Sequence, residues 1–513
     1  MSLTFTKNIP YWIVIKVGVH MQGTKIGLLV GGMLLAVVGG NVQAETLQPD
    51  PAWQQGKLDN GFTWQLLSTP QRPSDRIELR LVINTGSLSE NAQQAGFSHF
   101  IPRLALTPGE HFSAGQLPSL WQSADSDHPL PPATTSYDFT SYNLSLPNNR
   151  PELLKDALNW LANTAGQLQI TDNRIAIALK TMDPVTTAPA NPRDPSWHYR
   201  LMKDSTLLAH DPDQPMKIPV TTEQLSQFYK TWYTPDAMTL YVVGNVDNRS
   251  IIEQINNVFA KLHGKRVSPS PMPTLSPIPP EPVILMSSNA KQDTISLVWD
   301  RPWQKIRDSQ ALARYWHSDL AREALFWHMQ QALKESPLKD TNIRFDCNVM
   351  YGRAQCAIHL DNVTSESVEQ DVVFLAKELV YLRDKGLSQA EFDTLLSRKT
   401  DELSKLFATY ARTSTDILME QRLRSQRNGV VDIAPEQYQK LRHDYLSSIT
   451  LEMLNQELRQ QFSQDATLVM VQKQGEPEVN IKALMETYNR LMKPAEGASP
   501  AVVETPVEAA PAT

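Results

Sequence analysis

Residues 228–247 read Phe-Tyr-Lys-Thr-Trp-Tyr-Thr-Pro-Asp-Ala-Met-Thr-Leu-Tyr-Val-Val-Gly-Asn-Val-Asp, and the run Met238–Gly244 within them is the β-strand that closes one half of the chain. A second β run, Ala466–Val471, closes the other half. Each half also opens on strand-like runs, Phe62–Leu67 and Ile77–Asn84 in the first, Val283–Met286 and Thr294–Trp299 in the second. Amphipathic helices lie between. Val368–Lys385 puts apolar residues at 368, 372, 375, 379 and 382 on one face, and Gly386 follows its end. Ser388 and Glu391 then have the spacing of a capping box that opens the next helix. Strands grouped with helices, without strict alternation, predict α+β halves.

At 513 residues the chain is too long for one ordinary core and suggests two to four domains. Residues 268–282, rich in proline, are expected to be an extended linker. They separate residues 45–267 from 283–493, each of typical single-domain size. The tail 494–513 is poor in bulky residues and is expected to be disordered. Hydrophobic residues at 41% and charged residues at 20% fit a globular protein. The moderately acidic balance, with no lysine or arginine cluster, argues against nucleic acid and against anionic membrane surfaces.

From Met21 the sequence has the form of an export signal. Lys25 supplies the positive region, Ile26–Gly40 is uncharged and largely apolar, and Val42-Gln43-Ala44 has the small-x-small pattern of a cleavage site. Cleavage is expected after Ala44, with 1–44 a signal peptide preceded by an upstream extension and Met21 rather than Met1 the true start. The alternative is an uncleaved anchor, for which the apolar stretch is short. Removing 1–44 leaves 45 basic against 55 acidic residues and moves the formal charge from −7 to −10. No second long apolar run follows, so the mature chain is expected to be soluble, and periplasmic if the source has two membranes.

The only two cysteines, Cys347 and Cys356, sit in alternating segments joined by Tyr351-Gly352. Period-two alternation on both sides of a two-residue turn predicts a hairpin with the two cysteines directly opposed. At a non-hydrogen-bonded site the α-carbons would be about 4.5 Å apart, within disulfide reach. Export favours the bond; two reduced core cysteines are the alternative. Two thiols without neighbouring ligands make a poor metal site.

Several segments resemble the insulinase/pitrilysin family of zinc peptidases, whose shorter members include mitochondrial processing peptidase subunits. Asn60-Gly61-Phe62-Thr63-Trp64 resembles the family's opening strand, and Leu81–Leu88 its second strand and turn. Gly96-Phe97-Ser98-His99-Phe100 lies where the family has its metal-binding helix, and residues 228–247 match most closely. Gly386-Leu-Ser-Gln-Ala-Glu391 matches a recurrent helix start in the second half, so the resemblance covers most of residues 55–490. It implies two homologous α+β domains, each an antiparallel sheet covered by helices, forming a clamshell. It also implies pairing into a homodimer, or a heterodimer with an active relative, around an extended peptide.

Family catalysis needs His-x-x-Glu-His on a helix, with two imidazoles on one face and the glutamate activating metal-bound water. A further glutamate roughly 75 to 80 residues on completes the family's site. Here the segment reads His99-Phe100-Ile101-Pro102-Arg103. His99 survives as a relic ligand or an ordinary half-buried histidine. Pro102 stands in place of the base and Arg103 in place of the second ligand. Proline cannot ionise and breaks helix hydrogen bonding; arginine stays protonated and repels a cation. No glutamate lies between Glu152 and Glu223, and the expected downstream helix reads Arg174-Ile-Ala-Ile-Ala-Leu-Lys180, with Asp183 the nearest carboxylate.

Other candidates carry less chemistry. His317 and His328, on a predicted helix over 311–333, are three turns apart and cannot share an ion. Tyr315, Trp316, Phe326 and Trp327 read as core. Gly-x-Ser-x-Gly is absent. With glycine only 21 of 513, the glycine-rich substrate loop of some non-catalytic family subunits is not evident. The sequence therefore points to an exported family member with no catalytic residues, no cofactor and no metal expected, binding a peptide or protein or supporting an active partner. The rivals are an active zinc endopeptidase using substitute ligands such as His99, Asp183 or His198, and a scaffold without a ligand.

Overall fold

The computed structural model describes residues 44–493 apart from 110, 111, 113–119, 121–129, 149, 181–215, 217, 218, 273, 274, 276, 279, 288, 289 and 339. The expected signal peptide up to residue 43, the tail, Asp183 and His198 lie outside the described residues. In the first half the elements are β1 (Trp53–Lys57), β2 (Thr63–Ser68), β3 (Ile77–Ile83), α1 (Phe97–Ala105), β4 (Ala133–Thr135), β5 (Thr140–Leu146), α2 (Pro151–Gly166), α3 (Asp172–Lys180), α4 (Thr222–Trp232), β6 (Met238–Gly244) and α5 (Asn248–Phe259). The second half contains β7 (Val283–Ser287), β8 (Thr294–Pro302), α6 (Ser309–Glu335), β9 (Asn342–Met350), β10 (Arg353–Asp361), α7 (Val368–Lys385) and α8 (Gln389–Ser404). It continues through α9 (Leu406–Arg412), α10 (Thr415–Asn428), α11 (Pro435–Ser448), α12 (Leu451–Phe462), β11 (Ala466–Lys473) and α13 (Ile481–Met492).

The sheets have strand orders β1-β2-β6-β3-β5-β4 and β7-β11-β8-β10-β9. Leaving β1 aside, the two lists are the same topology, which makes the halves a structural repeat. Each sheet is antiparallel except at one place, where the opening strand pairs parallel with the closing strand: β2 with β6, and β7 with β11. The purely antiparallel expectation gains this one parallel pairing because the closing strand returns through helices rather than a hairpin, and so can run in either sense.

The α+β architecture and the placement of strands agree with the sequence. α7 has the expected ends, with Gly386 at φ 71° just beyond it, and Ser388 and Glu391 form the capping box of α8. α6 starts from an Asp308 cap and buries Trp316 against Tyr438 and Tyr445. Its two histidines serve different neighbours: His317 faces the Met453 carbonyl at 3.2 Å, and His328 lies between Glu378 at 3.0 Å and Glu391 at 3.2 Å. In the first half Phe62 stacks on Phe259 at 4.3 Å, fixing the opening strand beneath α5.

β6 is buried along nearly its whole length, as is β3, because the first sheet is covered on both faces. On one side lie α1, α2, α4 and α5. On the other, α10 from the second half lays Leu418 and Met419 over Leu67, Tyr241 and Val243. Polar groups tie the same seam. Arg72 is buried, donates to the Thr413 carbonyl at 2.7 Å and lies 5.1 Å over the Tyr410 ring. Arg427 lies 4.3 Å over Phe139. Burial raises the Asp138 carboxyl pKa, and the nearby Arg427 charge draws it partly back. Within residues 268–282, Leu275 is buried against Tyr137, Met350 and Tyr351, and Ile278 against Val298, Ala357 and Val469. That stretch is packed against both halves.

The β9–β10 hairpin has the register read from the sequence, with Cys347 opposite Cys356 and the two joined by a disulfide, α-carbons 4.1 Å apart. Tyr351 and Gly352 both have positive φ, 49° and 74°, as a two-residue turn of this twist demands. Replacing both cysteines by serine is expected to cost about 2–3 kcal/mol, the loop-closure entropy of so short a ring. Guanidinium unfolding would read it as a lower midpoint; an unchanged midpoint would mean that the strand ladder alone holds the hairpin.

Candidate functional site

The residues singled out by sequence lie on α1. Its helix begins at Gly96, at φ 86°, where an added Cβ would come within 2.7 Å of Met216 Cβ and 2.9 Å of Met216 N, so only glycine fits. Glu90 caps the start: its two carboxylate oxygens accept the backbone N–H groups of Gly96 at 2.9 Å and Ser98 at 2.7 Å. A buried carboxylate there satisfies two of the helix's orphan donors and complements its dipole. Phe97, Phe100, Ile101 and Leu104 face the core. His99 and Arg103, four residues apart, share the other face, both half-buried.

Pro102 sits inside this helix and is buried. With no N–H, it leaves the carbonyl of Ser98 without the bond a helix would supply. Thr135 on β4 supplies a replacement, its buried hydroxyl donating to that carbonyl at 3.2 Å. The helix then continues, with the Leu106 N–H reaching the Pro102 carbonyl at 3.0 Å.

Arg103 points toward α3, donating from Nε to the carbonyl of Ala178 at 3.1 Å. α3 answers in kind. Arg174 donates from Nη2 to the carbonyls of Leu104, at 2.8 Å, and Thr107, at 2.7 Å, just beyond the C-terminal end of α1. Its Nη1 binds the Gln169 carbonyl at 2.6 Å. Burial lowers the Arg174 pKa from its ordinary value. Two guanidinium groups thus clasp the helix of the expected first ligands to the helix of the expected distal one.

The donors present on these two helices do not fit a divalent cation. At the base position there is no ionisable atom, at the second ligand position a fixed positive charge, and α3 carries a carboxylate only at its start, Asp172. Among the described residues, no three His, Cys, Asp or Glu side chains converge as a metal site. The structure brings His99, Pro102 and Arg103 together on one helix and places Cys347 and Cys356 in the other half.

Sequence reasoning missed Glu90, Thr135 and Arg174. An acid ahead of a glycine-started helix is a readable cap signal, so Glu90 was within reach. Thr135 and Arg174 act across 37 and 70 residues and have no local signature.

Known proteins give the following likenesses. The insulinase (peptidase family M16) model matches residues 66–205, and the peptidase M16 inactive domain model matches 219–399. Protein YhjJ of Escherichia coli K12 is 56% identical over 486 residues, covering 94% of this chain and 97% of that protein. A solved structure, "Predicted insulinase family protease from Yersinia pestis", superposes with a TM-score of 0.83 at 63% identity, over 89% of this chain and 100% of that one. The periplasmic protease PqqL from Escherichia coli shares the fold at TM-score 0.71 and 21% identity. That match covers 91% of this chain but 53% of PqqL, so this chain spans about half of it.

The Thr135–Pro102 pairing makes a quantitative prediction. Thr135→Val should cost about 1–2 kcal/mol, because it leaves the Ser98 carbonyl buried without a donor. In a Pro102→Ala background the helix's own N–H fills that role, and the cost should fall by at least about 0.5 kcal/mol. Equal costs in the two backgrounds, read by denaturant unfolding, would show that Thr135 does not compensate for the proline.

Proposed function

The chain belongs to the insulinase (peptidase M16) family, and from that premise we propose that it is an exported, non-catalytic member that binds a peptide or protein or supports an active partner subunit. The observation that carries this reading is Arg103. A protonated guanidinium stands where the family places its second metal ligand, and it is held there by the Ala178 carbonyl of the helix that would bring the distal one. Hydrolysis in this family requires a metal-bound water and a carboxylate to deprotonate it. Pro102 cannot perform the second task.

Peptide capture survives the loss of the metal. β4 is an edge strand of the first sheet, and Thr135 ties it to α1. All three residues of β4 are buried, so an extended segment would add to that edge only after its cover moves aside, and would then gain main-chain hydrogen bonds without any chemistry at α1. A periplasmic location follows from the signal read at residues 21–44, and the description of PqqL as a periplasmic protease is consistent with it. Homodimerisation, or pairing with an active family member, is the assembly proposed. Among the described residues no helix is long and apolar enough to cross a membrane.

Zinc analysis of the purified mature protein after brief dialysis against a weak chelator is the deciding test. Less than about a tenth of an equivalent per chain is expected, together with saturable peptide binding and no cleavage. One zinc per chain, lost in His99→Ala, would overturn the proposal in favour of a peptidase with substitute ligands such as Asp183 or His198. The double variant Pro102→Glu, Arg103→His should still take up little zinc, since α3 brings no carboxylate opposite the motif. Stoichiometric zinc in that variant would mean a third ligand exists elsewhere.

A further inference from the structure

The first described residues of the chain do not belong to the first half alone. Glu45–Leu47 run antiparallel to Arg307–Ser309, the segment that leads into α6: Thr46 bridges Asp308, the Leu47 N–H donates to the Arg307 carbonyl at 3.0 Å, and the Ser309 N–H to the Glu45 carbonyl at 2.8 Å. The Glu45 N–H reaches Ser309 Oγ at 3.0 Å. The Leu47 side chain is 3% exposed and sits in the core of the second half.

Three residues later the chain has moved to the seam. The Asp50 N–H donates to the Asp432 carbonyl at 2.8 Å, a few residues beyond the end of α10. Trp53 then begins β1, the edge strand of the first sheet, with Arg422 lying 4.6 Å over its ring. Arg422 also pairs with the Asp432 carboxylate at 2.7 Å and with Gln65 of β2 at 2.8 Å. The segment is stiff by composition. Gln48-Pro49-Asp50-Pro51 places a proline after Gln48 and after Asp50, which disfavours the helical conformation at both and keeps the backbone extended.

We propose that Glu45–Trp53 is a strap: the groove formed by Arg307–Ser309 and Asp432 is a binding site for the chain's own amino-terminal segment. Its occupancy holds the start of α6 and the segment after α10 in place across the seam. Leu47 is the anchor, Asp50 the crossing point and Trp53 the junction with the first sheet. One consequence concerns maturation and rests on the export reading given above. Cleavage after Ala44 leaves the strap whole, whereas cleavage three residues later would remove its anchor.

Hydrogen exchange of the purified mature protein, followed by mass spectrometry, tests the strap with Leu47→Asp, Leu47→Ala and Leu47→Met. In Leu47→Asp, exchange should rise by at least about tenfold in peptides covering 305–311 and 430–433, while β3 and β8 stay protected. Leu47→Ala, which folds more readily, should show a smaller rise at the same places, and Leu47→Met none. Unchanged exchange at 305–311 in both Leu47→Asp and Leu47→Ala, or a rise of equal size throughout the molecule, would overturn the proposal. The mature amino terminus, sequenced separately, tests the processing site alone: a terminus other than Glu45 would refute the cleavage position and leave the exchange result standing.

Discussion

The first sheet has two apolar faces and cannot fold with only one covered. Leu79, Leu81 and Ile83 turn to the helices of their own half, while Val243, Tyr241 and Leu67 turn the other way. Burying that second face requires α10, which belongs to the other half of the chain. The dependence is mutual, since Thr415 caps the arrangement by donating to the Arg76 carbonyl at 2.8 Å. Arg72 and Arg422 are buried in the seam, while Arg427 beside them stays exposed. Each has an aromatic ring beneath its guanidinium, and Arg72 and Arg422 also donate to carbonyl or carboxylate oxygens there. Buried cations are tolerable only with such partners, so the seam demands particular geometry as well as apolar contact.

The same rule of replacement operates at α1. Pro102 removes a helix donor and Thr135 restores one; Arg103 and Arg174 cross between α1 and α3, where the family's metal would otherwise join the two helices. The helix is therefore fully integrated into the fold without a metal. Its first turn is held by Glu90, the Ser98 carbonyl by Thr135 and the Arg103 guanidinium by the Ala178 carbonyl.

The two halves share a strand order but differ in how their corresponding hairpins are held. β4 is three residues long and leans on α1, whereas β9 is nine residues long and is tied to β10 by the Cys347–Cys356 bond. A long edge strand with few neighbours benefits most from a covalent tie, and a short one beside a helix has other support.

Much of this was legible in the sequence because it is local. Period-two alternation gave the β9–β10 register down to the opposed cysteines, the 3.6-residue spacing and Gly386 gave α7, and Ser388 with Glu391 gave the start of α8. That Pro102 cannot ionise and that Arg103 carries a fixed positive charge could also be read directly, since it concerns which atoms a side chain possesses. The parallel pairing of β2 with β6, the cover of α10 over the first sheet, and the partners of Pro102 and Arg103 were decided only by tertiary structure. Those contacts join residues tens to hundreds of positions apart. Sequence patterns record which face of an element must be buried, and only the packed fold determines what buries it.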